Sequence, residues 1–425
     1  MSKAGQAAGF ATRLYAERAR IAWAGYARRD PMARLHLRPG RDDPYAIYDQ
    51  IRAEHGTLMR TRLGNWATPS HRVCNLVLRD RRFGVQPIED EHNRSDDSEL
   101  SFLELNPPDH TRLRRLAQPS FSPKAVATYR GRIEQTVGRM LDQAASAGEF
   151  DLVSQFAAPL PIAVITDLLG VPDANAEEFA RYGASIGSAL DGIKSLRHAA
   201  ELQASQAALD KLFTGLFELR RREPADDIVS ALVAAEGGQI RPGEMLPMCV
   251  LLLVAGFETT VNLIGNAVLA LLDHPDQWAA LCADPEGLAG AAVEETLRWD
   301  PPVQRTARVA LESIELEGAV VAKGEQVATL LGAANRDPEA YERPEVFDLS
   351  RQGGPDHLAF SSGIHYCVGQ PLARLEGRIA LQLLAERMPG LQRAGAVVRR
   401  NATLIRGPVR LPVRVTPSRR PVATV

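Results

Sequence analysis

Apolar residues recur at helical spacing through most of the middle of the chain. Residues 123–146 place their apolar side chains on one face of a predicted helix. Residues 151–169 show the same spacing, and Gly170 is expected to end that helix. Further helical pattern follows over residues 173–220. The pattern therefore favours a mainly helical fold.

The longest apolar stretch covers residues 247–272 and is apolar on nearly all sides. Such a helix is expected either in the core of a large domain or across a membrane. Glu258, Asn262 and Asn266 interrupt the stretch, and its flanks carry no topology signal. We therefore expect a core helix and no integral membrane segment.

Alternating apolar and polar positions indicate strands in only a few places. Residues 56–70 and 313–331 alternate around glycine turns, and residues 396–417 show two alternating runs separated by a Gly-Pro break. The last of these predicts a terminal hairpin. The fold class expected is mainly α with a small β portion, as one domain over residues 43–425 preceded by a lead-in over residues 1–42.

Composition and charge exclude several classes of protein. The 425 residues carry a formal net charge of -2, so no overall field points to nucleic acid or anionic lipid. Cys74, Cys249, Cys282 and Cys367 lie far apart, which argues against a disulfide scaffold, a zinc ribbon or an iron–sulfur cluster. They are expected to be reduced thiols of a cytoplasmic protein.

The first thirty residues contain scattered arginines and no uninterrupted apolar run. A signal peptide or membrane anchor is therefore not expected. A basic amphipathic helix at a membrane surface is one interpretation of this segment. A loosely docked lead-in is the interpretation we favour.

One cysteine, Cys367, lies just before a predicted helix N-terminus with Pro371 in its first turn. There the helix dipole and free N–H groups favour an anionic sulfur. Gly363 and Gly369 bracket the cysteine, as expected where backbone turns sharply or approaches a flat ligand. A buried structural cysteine and a protease nucleophile are the alternatives, although no partner for a nucleophile is marked.

The spacing Phe360-x-x-Gly363-x-His365-x-Cys367-x-Gly369 resembles the haem-binding loop of the cytochrome P450 family. The resemblance extends from about residue 43 to residue 415. It implies haem b (iron protoporphyrin IX) with the Cys367 thiolate as axial iron ligand. The haem is then expected between the long central helix and the helix that follows the cysteine. Ser361 stands where the family often has glycine.

Residues 255–260 read AGFETT, in the middle of the long apolar helix. A buried acid there is costly unless it is paired or used, and a threonine hydroxyl can bond to the carbonyl one turn earlier. The resemblance implies that Glu258 and Thr259 relay protons on the distal side of the haem. Ala255 and Gly256 would then leave room for dioxygen.

Glu295 and Arg298 share one helix face through their i, i+3 spacing. In the family this pair forms a buried structural lock, usually completed by an arginine shortly before the cysteine loop. Here Val346 stands at that position. Arg343 is the candidate replacement.

The two propionates of a haem need cationic or N–H donors if they are buried. His110 and Arg114 lie one turn apart on one predicted helix face, and the resemblance assigns both to the propionates. Arg308 and His365 match two further propionate positions of the family. A solvated basic helix face is the alternative for the first two residues.

The resemblance implies a monooxygenase that hydroxylates or epoxidises a hydrophobic small molecule. No G-x-G-x-x-G follows a strand signal, so electrons from NAD(P)H are expected through a separate ferredoxin and ferredoxin reductase. Arg112 and Arg115 are expected to form a solvated face toward that acidic partner. The protein is expected to be a monomer.

Substrate choice is expected to depend on residues 85–105, on the helices near 173–205 and on Val303 to Thr306. Two alternative functions remain open at this point. One is a haem-thiolate protein that binds a ligand or acts as a sensor without turnover. The other is an isomerase or dehydratase on the same scaffold, which needs no external electrons.

Overall fold

Helices make up most of the computed structural model, which describes residues 3–86, 100–172, 176–241 and 243–415. The α-helices in chain order are α1 Lys3–Ala22, α2 Pro31–Leu35, α3 Arg38–Asp42, α4 Pro44–His55, α5 His71–Arg79, α6 Asp109–Ala117, α7 Pro123–Ala147, α8 Pro159–Leu169, α9 Ala176–Gly187, α10 Leu196–Arg222, α11 Ile228–Ala234, α12 Met245–Asp273, α13 Pro275–Ala283, α14 Pro285–Trp299, α15 Leu331–Ala334 and α16 Gln370–Arg387. Short π-helical turns lie at Trp23–Ala27 and Val153–Ala157, and 3₁₀ turns at Gln118–Phe121, Ser188–Asp191 and Gly363–His365.

The strands are short and form four small sheets within the described residues. They are β1 Met59–Arg60, β2 Trp66–Thr68, β3 Phe83–Gly84, β4 Glu149–Asp151, β5 Thr306–Ala310, β6 Ile314–Leu316, β7 Ala319–Val321, β8 Gln326–Thr329, β9 Leu391–Arg393, β10 Val398–Arg399, β11 Pro408–Arg410 and β12 Pro412–Val415. The largest sheet has the order β1-β2-β8-β5-β3, and only its β2–β8 pair is parallel. The others are β4-β12-β9, β10-β11 and β6-β7.

The helix α12 runs through the main hydrophobic core. By length and composition it is the one described helix that could cross a membrane, but 72% of its most apolar window is buried within the fold. It packs against α8, α9, α14 and α16. Close packing explains Gly256, because a Cβ there would lie 2.8 Å from Cδ1 of Ile165 on α8. The expectation of a core helix is confirmed.

The helix predicted over residues 123–146 is confirmed as α7, which begins after Ser122 caps the N–H of Ala125. The helix predicted over residues 151–169 is confirmed for most of its length, but Asp151 belongs to β4 and the helical run is not a single α-helix. Residues 153–157 form a π-helical turn, and α8 begins only at Pro159. Proline has no N–H to continue an α-helix, so the chain starts a new one there. Gly170 ends α8 with a left-handed φ of 74°, as expected.

The strand predictions are confirmed near residues 60 and 320, where β1, β2, β6, β7 and β8 form. At the tail, β10 and β11 pair as the predicted hairpin. The strand β12 leaves that hairpin and instead pairs with β4 and β9. The pattern missed β5, because a five-residue strand in the middle of a sheet gives little alternation to detect.

The segment before residue 43 contacts the largest sheet. Met32 and Leu35 of α2 are buried in one cluster with Tyr48 and Ile51 of α4 and Ala328 of β8. Burial of these side chains ties α2 to the sheet through the hydrophobic effect. The domain boundary after residue 42 stays a prediction.

Candidate active site

The cysteine loop folds back on itself immediately before α16. The Cys367 N–H donates a hydrogen bond of 2.9 Å to the Phe360 carbonyl, which closes the loop. Pro371 lies in the first turn of α16, where no N–H donor is lost. Cys367 therefore precedes a helix N-terminus, as predicted.

Gly363 is needed in this loop for two independent reasons. Its φ is 69°, a left-handed value that side chains disfavour, and a Cβ there would lie 2.4 Å from the Leu78 carbonyl oxygen of α5. Gly369 meets neither condition. Its φ is -85°, and its Cβ would lie 3.8 Å from the nearest atom, on Phe121. Residues 368–369 do form a turn, as expected, but Gly369 makes it without a left-handed φ. The close approach of a flat ligand stays a prediction.

Burial raises the pKa of the Cys367 thiol above its ordinary value. The N–H groups of Gly369 and Gln370 and the guanidinium groups of Arg114 and Arg374 act in the opposite direction and favour the thiolate. The residue nevertheless exposes part of its surface, although protein atoms surround it. The sulfur is thus enclosed by protein and still accessible to a ligand.

Four basic side chains gather beside this loop: His110, Arg114, Arg308 and His365. The His110 and His365 rings lie 4.3 Å apart between centroids. Burial, reinforced by neighbouring positive charges, lowers the pKa of His110 to about 4 and that of His365 to about 3. Burial alone lowers the pKa of Arg308 to about 10. Among the described residues, none of the four pairs with a carboxylate.

Such a cluster is unfavourable unless an anion shares it. Both ring nitrogens of His110 and Nε2 of His365 are buried without a hydrogen-bond partner among the described residues. Two carboxylates at this place would accept hydrogen bonds from the single N–H group of each neutral histidine ring and would balance Arg114 and Arg308. Within the described part of the chain, no cluster of three or more His, Cys, Asp or Glu side chains could hold a metal by itself. The residues therefore fit a haem that carries its own iron and two propionates.

One face of α12 is open in the middle of a helix that is otherwise mostly buried. Ala255 is exposed and Thr259 partly exposed, although their neighbours Val254 and Phe257 are buried. The Thr259 hydroxyl donates to the Ala255 carbonyl at 2.9 Å, which is the back-bond that the sequence predicts. Gly256 lies against Ile165, so helix packing gives one reason for the glycine. The room for dioxygen expected at Ala255 and Gly256 stays a prediction.

Glu258 lies beside that open face, with its carboxylate directed to Arg400. Successive helical residues diverge by about 100°, and the Glu258 carboxylate accepts hydrogen bonds of 2.6 and 3.2 Å from Arg400. Gly187 lies against the same side chain, since a Cβ there would come within 2.8 Å of Glu258 Cγ. Sequence reasoning missed Arg400, which follows β10 and comes from 142 residues further along the chain.

Glu295 and Arg298 form the buried pair that the sequence predicts, with two parallel hydrogen bonds of 2.8 Å. The third partner is Arg351, whose Nε lies 3.2 Å from Glu295 Oε1. The expectation of Arg343 is wrong, because this side chain is exposed and reaches Asp348 at 3.8 Å instead. Arg351 is the remaining arginine of the segment 341–351, so a search of the whole segment would have found it.

The expectation of a solvated Arg112 is also wrong. Its guanidinium donates to Glu244 at 2.6 and 2.8 Å and to Asp109 at 2.8 Å. Arg112 therefore links α6 to Glu244, the N-cap residue of α12. Arg115 is exposed, as expected.

Two of the segments predicted to contact substrate lie partly outside the described residues. These are residues 87–99 of the polar loop and residues 173–175 before α9. Val303 is described and packs against the cluster of Cys74 and Leu78. It also forms a bridge to Ile405.

Comparison with known proteins identifies the family. The sequence model described as Cytochrome P450 matches residues 288–387. The biotin biosynthesis cytochrome P450 of Bacillus subtilis is 39% identical over 360 residues, which cover 83% of this chain and 91% of the relative. This chain belongs to the cytochrome P450 family. The 6-deoxyerythronolide B hydroxylase of Saccharopolyspora erythraea is 41% identical over 318 residues, covering 73% of this chain and 76% of that relative.

Solved P450 structures show the same fold. P450BioI, crystallised in complex with hexadec-9Z-enoic acid ligated acyl carrier protein, superposes with a TM-score of 0.82 at 38% identity. The match covers 89% of this chain and all of that one. The chain is thus a P450 oxidoreductase of the monooxygenase type that uses haem b, with electrons from NAD(P)H through redox partners.

Proposed function

We propose that this P450 hydroxylates or epoxidises a hydrophobic small molecule, with electrons from a separate ferredoxin and ferredoxin reductase. The observation that carries the proposal is the accessible thiol of Cys367 beside four basic side chains that have no acid among the described residues. Bacterial members of the family generally use such partners and such substrates. A cytoplasmic monomer is part of the same proposal.

The residues have distinct roles in this proposal. Cys367 Sγ binds the haem iron, and His110, Arg114, Arg308 and His365 bind the propionates. Bound haem supplies the activation of dioxygen with two electrons. The buried side chains of α12 exclude bulk water from that chemistry.

Thr259 and Glu258 supply protons in this proposal. Thr259 Oγ faces the open side of α12 and can hold a proton or a water next to the haem. Glu258 lies one residue earlier but bonds to Arg400, so its carboxyl group has to turn, or act through water, to reach Thr259. The two residues are therefore proposed to act in sequence.

The substrate does not follow from the relatives. At 37–41% identity their names include biotin biosynthesis, 6-deoxyerythronolide B hydroxylation and nocardicin C N-oxygenation. Those names describe different compounds at nearly equal similarity to this chain. The substrate class we propose is therefore no narrower than an apolar molecule that fits a buried pocket.

The first experiment is the spectrum of the dithionite-reduced protein with carbon monoxide. We expect the red-shifted Soret band of a thiolate–CO complex, and Cys367→Ala should abolish it while Cys282→Ala should not. A band at the histidine-like position, or purified protein without haem, would contradict the proposal.

Turnover is the second experiment and separates an enzyme from a sensor. We expect NAD(P)H consumption and oxygenated product when a surrogate ferredoxin, its reductase and an apolar compound library are supplied. Product without NAD(P)H and oxygen would instead support an isomerase or dehydratase. Tight ligand binding with no electron uptake would support a sensor.

A further inference from the structure

A cleft of about 610 Å³ opens beside the C-terminal hairpin. Five of its lining residues are arginines, namely Arg38, Arg41, Arg393, Arg399 and Arg400. Several rim residues are exposed, so water enters the cleft freely. The P450 function proposed above assigns no role to this cleft.

Arg400 connects the cleft to the interior of the protein. It lines the cleft, and its Nη1 and Nη2 donate to the two carboxylate oxygens of Glu258 at 2.6 and 3.2 Å. Its side chain is 16% exposed and that of Glu258 is 7% exposed. Arg400 therefore bridges solvent and a buried carboxylate.

The other described arginines of the cleft have different partners. Arg393 Nη1 lies 2.9 Å from Asp273, and Arg38 Nε lies 3.4 Å from Asp42. Arg399 Nη1 lies 3.7 Å from Asp300. Among the described arginines that line the cleft, Arg400 is thus the one that bonds to Glu258.

The backbone fixes Arg400 at this place. The Arg400 N–H donates to the Gly407 carbonyl at 2.9 Å across the hairpin loop. Gly407 lies directly on Asn262 of α12, where a Cβ would be 2.0 Å from the amide oxygen. Asn262 in turn donates to the Glu258 carbonyl at 2.7 Å. The β10–β11 hairpin therefore packs against the turn of α12 that carries Glu258.

We propose that Arg400 is the positioning residue for Glu258 and that the arginine-lined cleft is the route by which solvent protons reach this carboxylate. The inference rests on the proposed function, in which Glu258 passes protons to Thr259. In each transfer a hydrated proton from the solvent in the cleft protonates a Glu258 carboxylate oxygen, and the carboxyl group then gives that proton to Thr259 Oγ while Thr259 passes its own hydroxyl proton on. Glu258 returns to the carboxylate, and Arg400 keeps its own protons throughout.

The Glu258–Arg400 pairing is tested first by measuring the free energy of unfolding, which needs no catalytic turnover. Arg400→Gln and Glu258→Gln should each lower stability, and the double variant should lose less than the sum of the two. Additive losses would contradict the pairing. Arg220 and Asp227 offer a matched control, since their atoms lie 2.6 Å apart with side chains 15% and 4% exposed.

The proton route is tested by the rate at which the reduced haem protein returns to the ferric state on mixing with dioxygen. The rate is measured across pH in H2O and D2O, and no organic substrate is needed. We expect Arg400→Gln and Glu258→Gln to react about tenfold more slowly and to change the solvent isotope effect. Arg400→Lys keeps the charge and should restore most of the rate. Arg220→Gln should behave as the wild type does.

A third variant separates positioning from access. Asn401 lines the cleft and accepts a hydrogen bond from Arg41, whereas Glu258 bonds to Arg400. We therefore expect Asn401→Trp to fill the cleft without removing either member of the Glu258–Arg400 pair. We expect it to slow the reaction as well. A wild-type rate and isotope effect in Asn401→Trp would overturn the route, and the same result in Arg400→Gln would overturn the positioning role.

The design also covers two failures. If Arg400→Gln does not fold, Arg400→Lys still tests the positioning role and Asn401→Trp still tests the proton route. If the wild type lacks the thiolate–CO band, the proposed function fails by itself, because that spectrum does not depend on Arg400.

Discussion

Ser361 adopts a backbone conformation that only glycine adopts without strain. Its φ is 64°, and its hydroxyl is buried without a partner among the described residues. A left-handed non-glycine residue costs about 1–2 kcal/mol. The family's frequent glycine at this position therefore has a physical cause, and this chain departs from it.

We predict that Ser361→Gly stabilises the protein by about 0.5–1 kcal/mol, because relief of strain exceeds the added entropy of the unfolded chain. Urea unfolding of the haem-bound protein measures the change. Ser362→Gly is the matched control, since Ser362 has an extended φ of -152°. The control should lose stability by about 0.5–1 kcal/mol. A less stable Ser361→Gly would show that the loop needs its serine.

The two glycines beside Cys367 should respond differently to alanine. Gly363→Ala would place a methyl group against backbone atoms of Leu78 and Arg79 that cannot move aside. We expect a loss of roughly 2–4 kcal/mol and weaker haem retention, measured by unfolding and by the CO spectrum. Gly369→Ala should stay within about 0.5 kcal/mol of the wild type. Equal losses would mean that Gly369 has a role its local geometry does not show.

Among the elements, α14 is joined to the segment before the cysteine loop by a network of one acidic and two basic side chains. Glu295 bonds to Arg298 on its own helix and to Arg351 from that segment. Arg351 also donates to the carbonyls of Glu342, Arg343 and Val346. This buried network therefore connects α14 to the segment before the cysteine loop, which an exposed ion pair on one helix would not do.

We predict that Arg351→Ala costs about 2–3 kcal/mol, because Glu295 loses a buried cation and three carbonyls lose a donor. Arg343→Ala should change stability by less than about 0.5 kcal/mol, since Arg343 is 64% exposed. Chemical denaturation of both variants makes the comparison. An Arg343→Ala loss equal to that of Arg351→Ala would restore Arg343 as the third partner.

At the scale of the whole molecule, the sequence predicts what depends on local spacing. The cysteine loop spans ten residues, so its histidine, glycines and cysteine could be assigned before the structure was known. The Glu258–Arg400 pair joins residues 142 positions apart, and no local pattern marks such a contact. Strand β5 carries Arg308 yet was missed, because its pairing with β3 and β8 rather than its own pattern makes it a strand.

Glu376 is a further residue whose state depends on the whole fold. It lies on α16, is 2% exposed, and its Oε2 has no hydrogen-bond partner among the described residues. Burial raises the pKa of this carboxyl from 4.5 to about 8. The folded protein therefore holds a proton near neutral pH that the unfolded chain has released.

This difference in proton binding sets the sign of a pH dependence. As pH rises from 4.5 to about 8, the unfolded chain loses the Glu376 proton and the folded protein keeps it, so the contribution of Glu376 to stability falls. We predict that Glu376→Gln, which cannot ionise, gains stability relative to wild type across that window by on the order of 5 kcal/mol. The difference should level off above pH 8 and below 4.5. Urea unfolding at a series of pH values measures it, with Glu386→Gln on the exposed side of the same helix as the control. If the difference in free energy of unfolding between Glu376→Gln and wild type did not change with pH, the Glu376 carboxyl group would have to gain a partner or a water when it ionises.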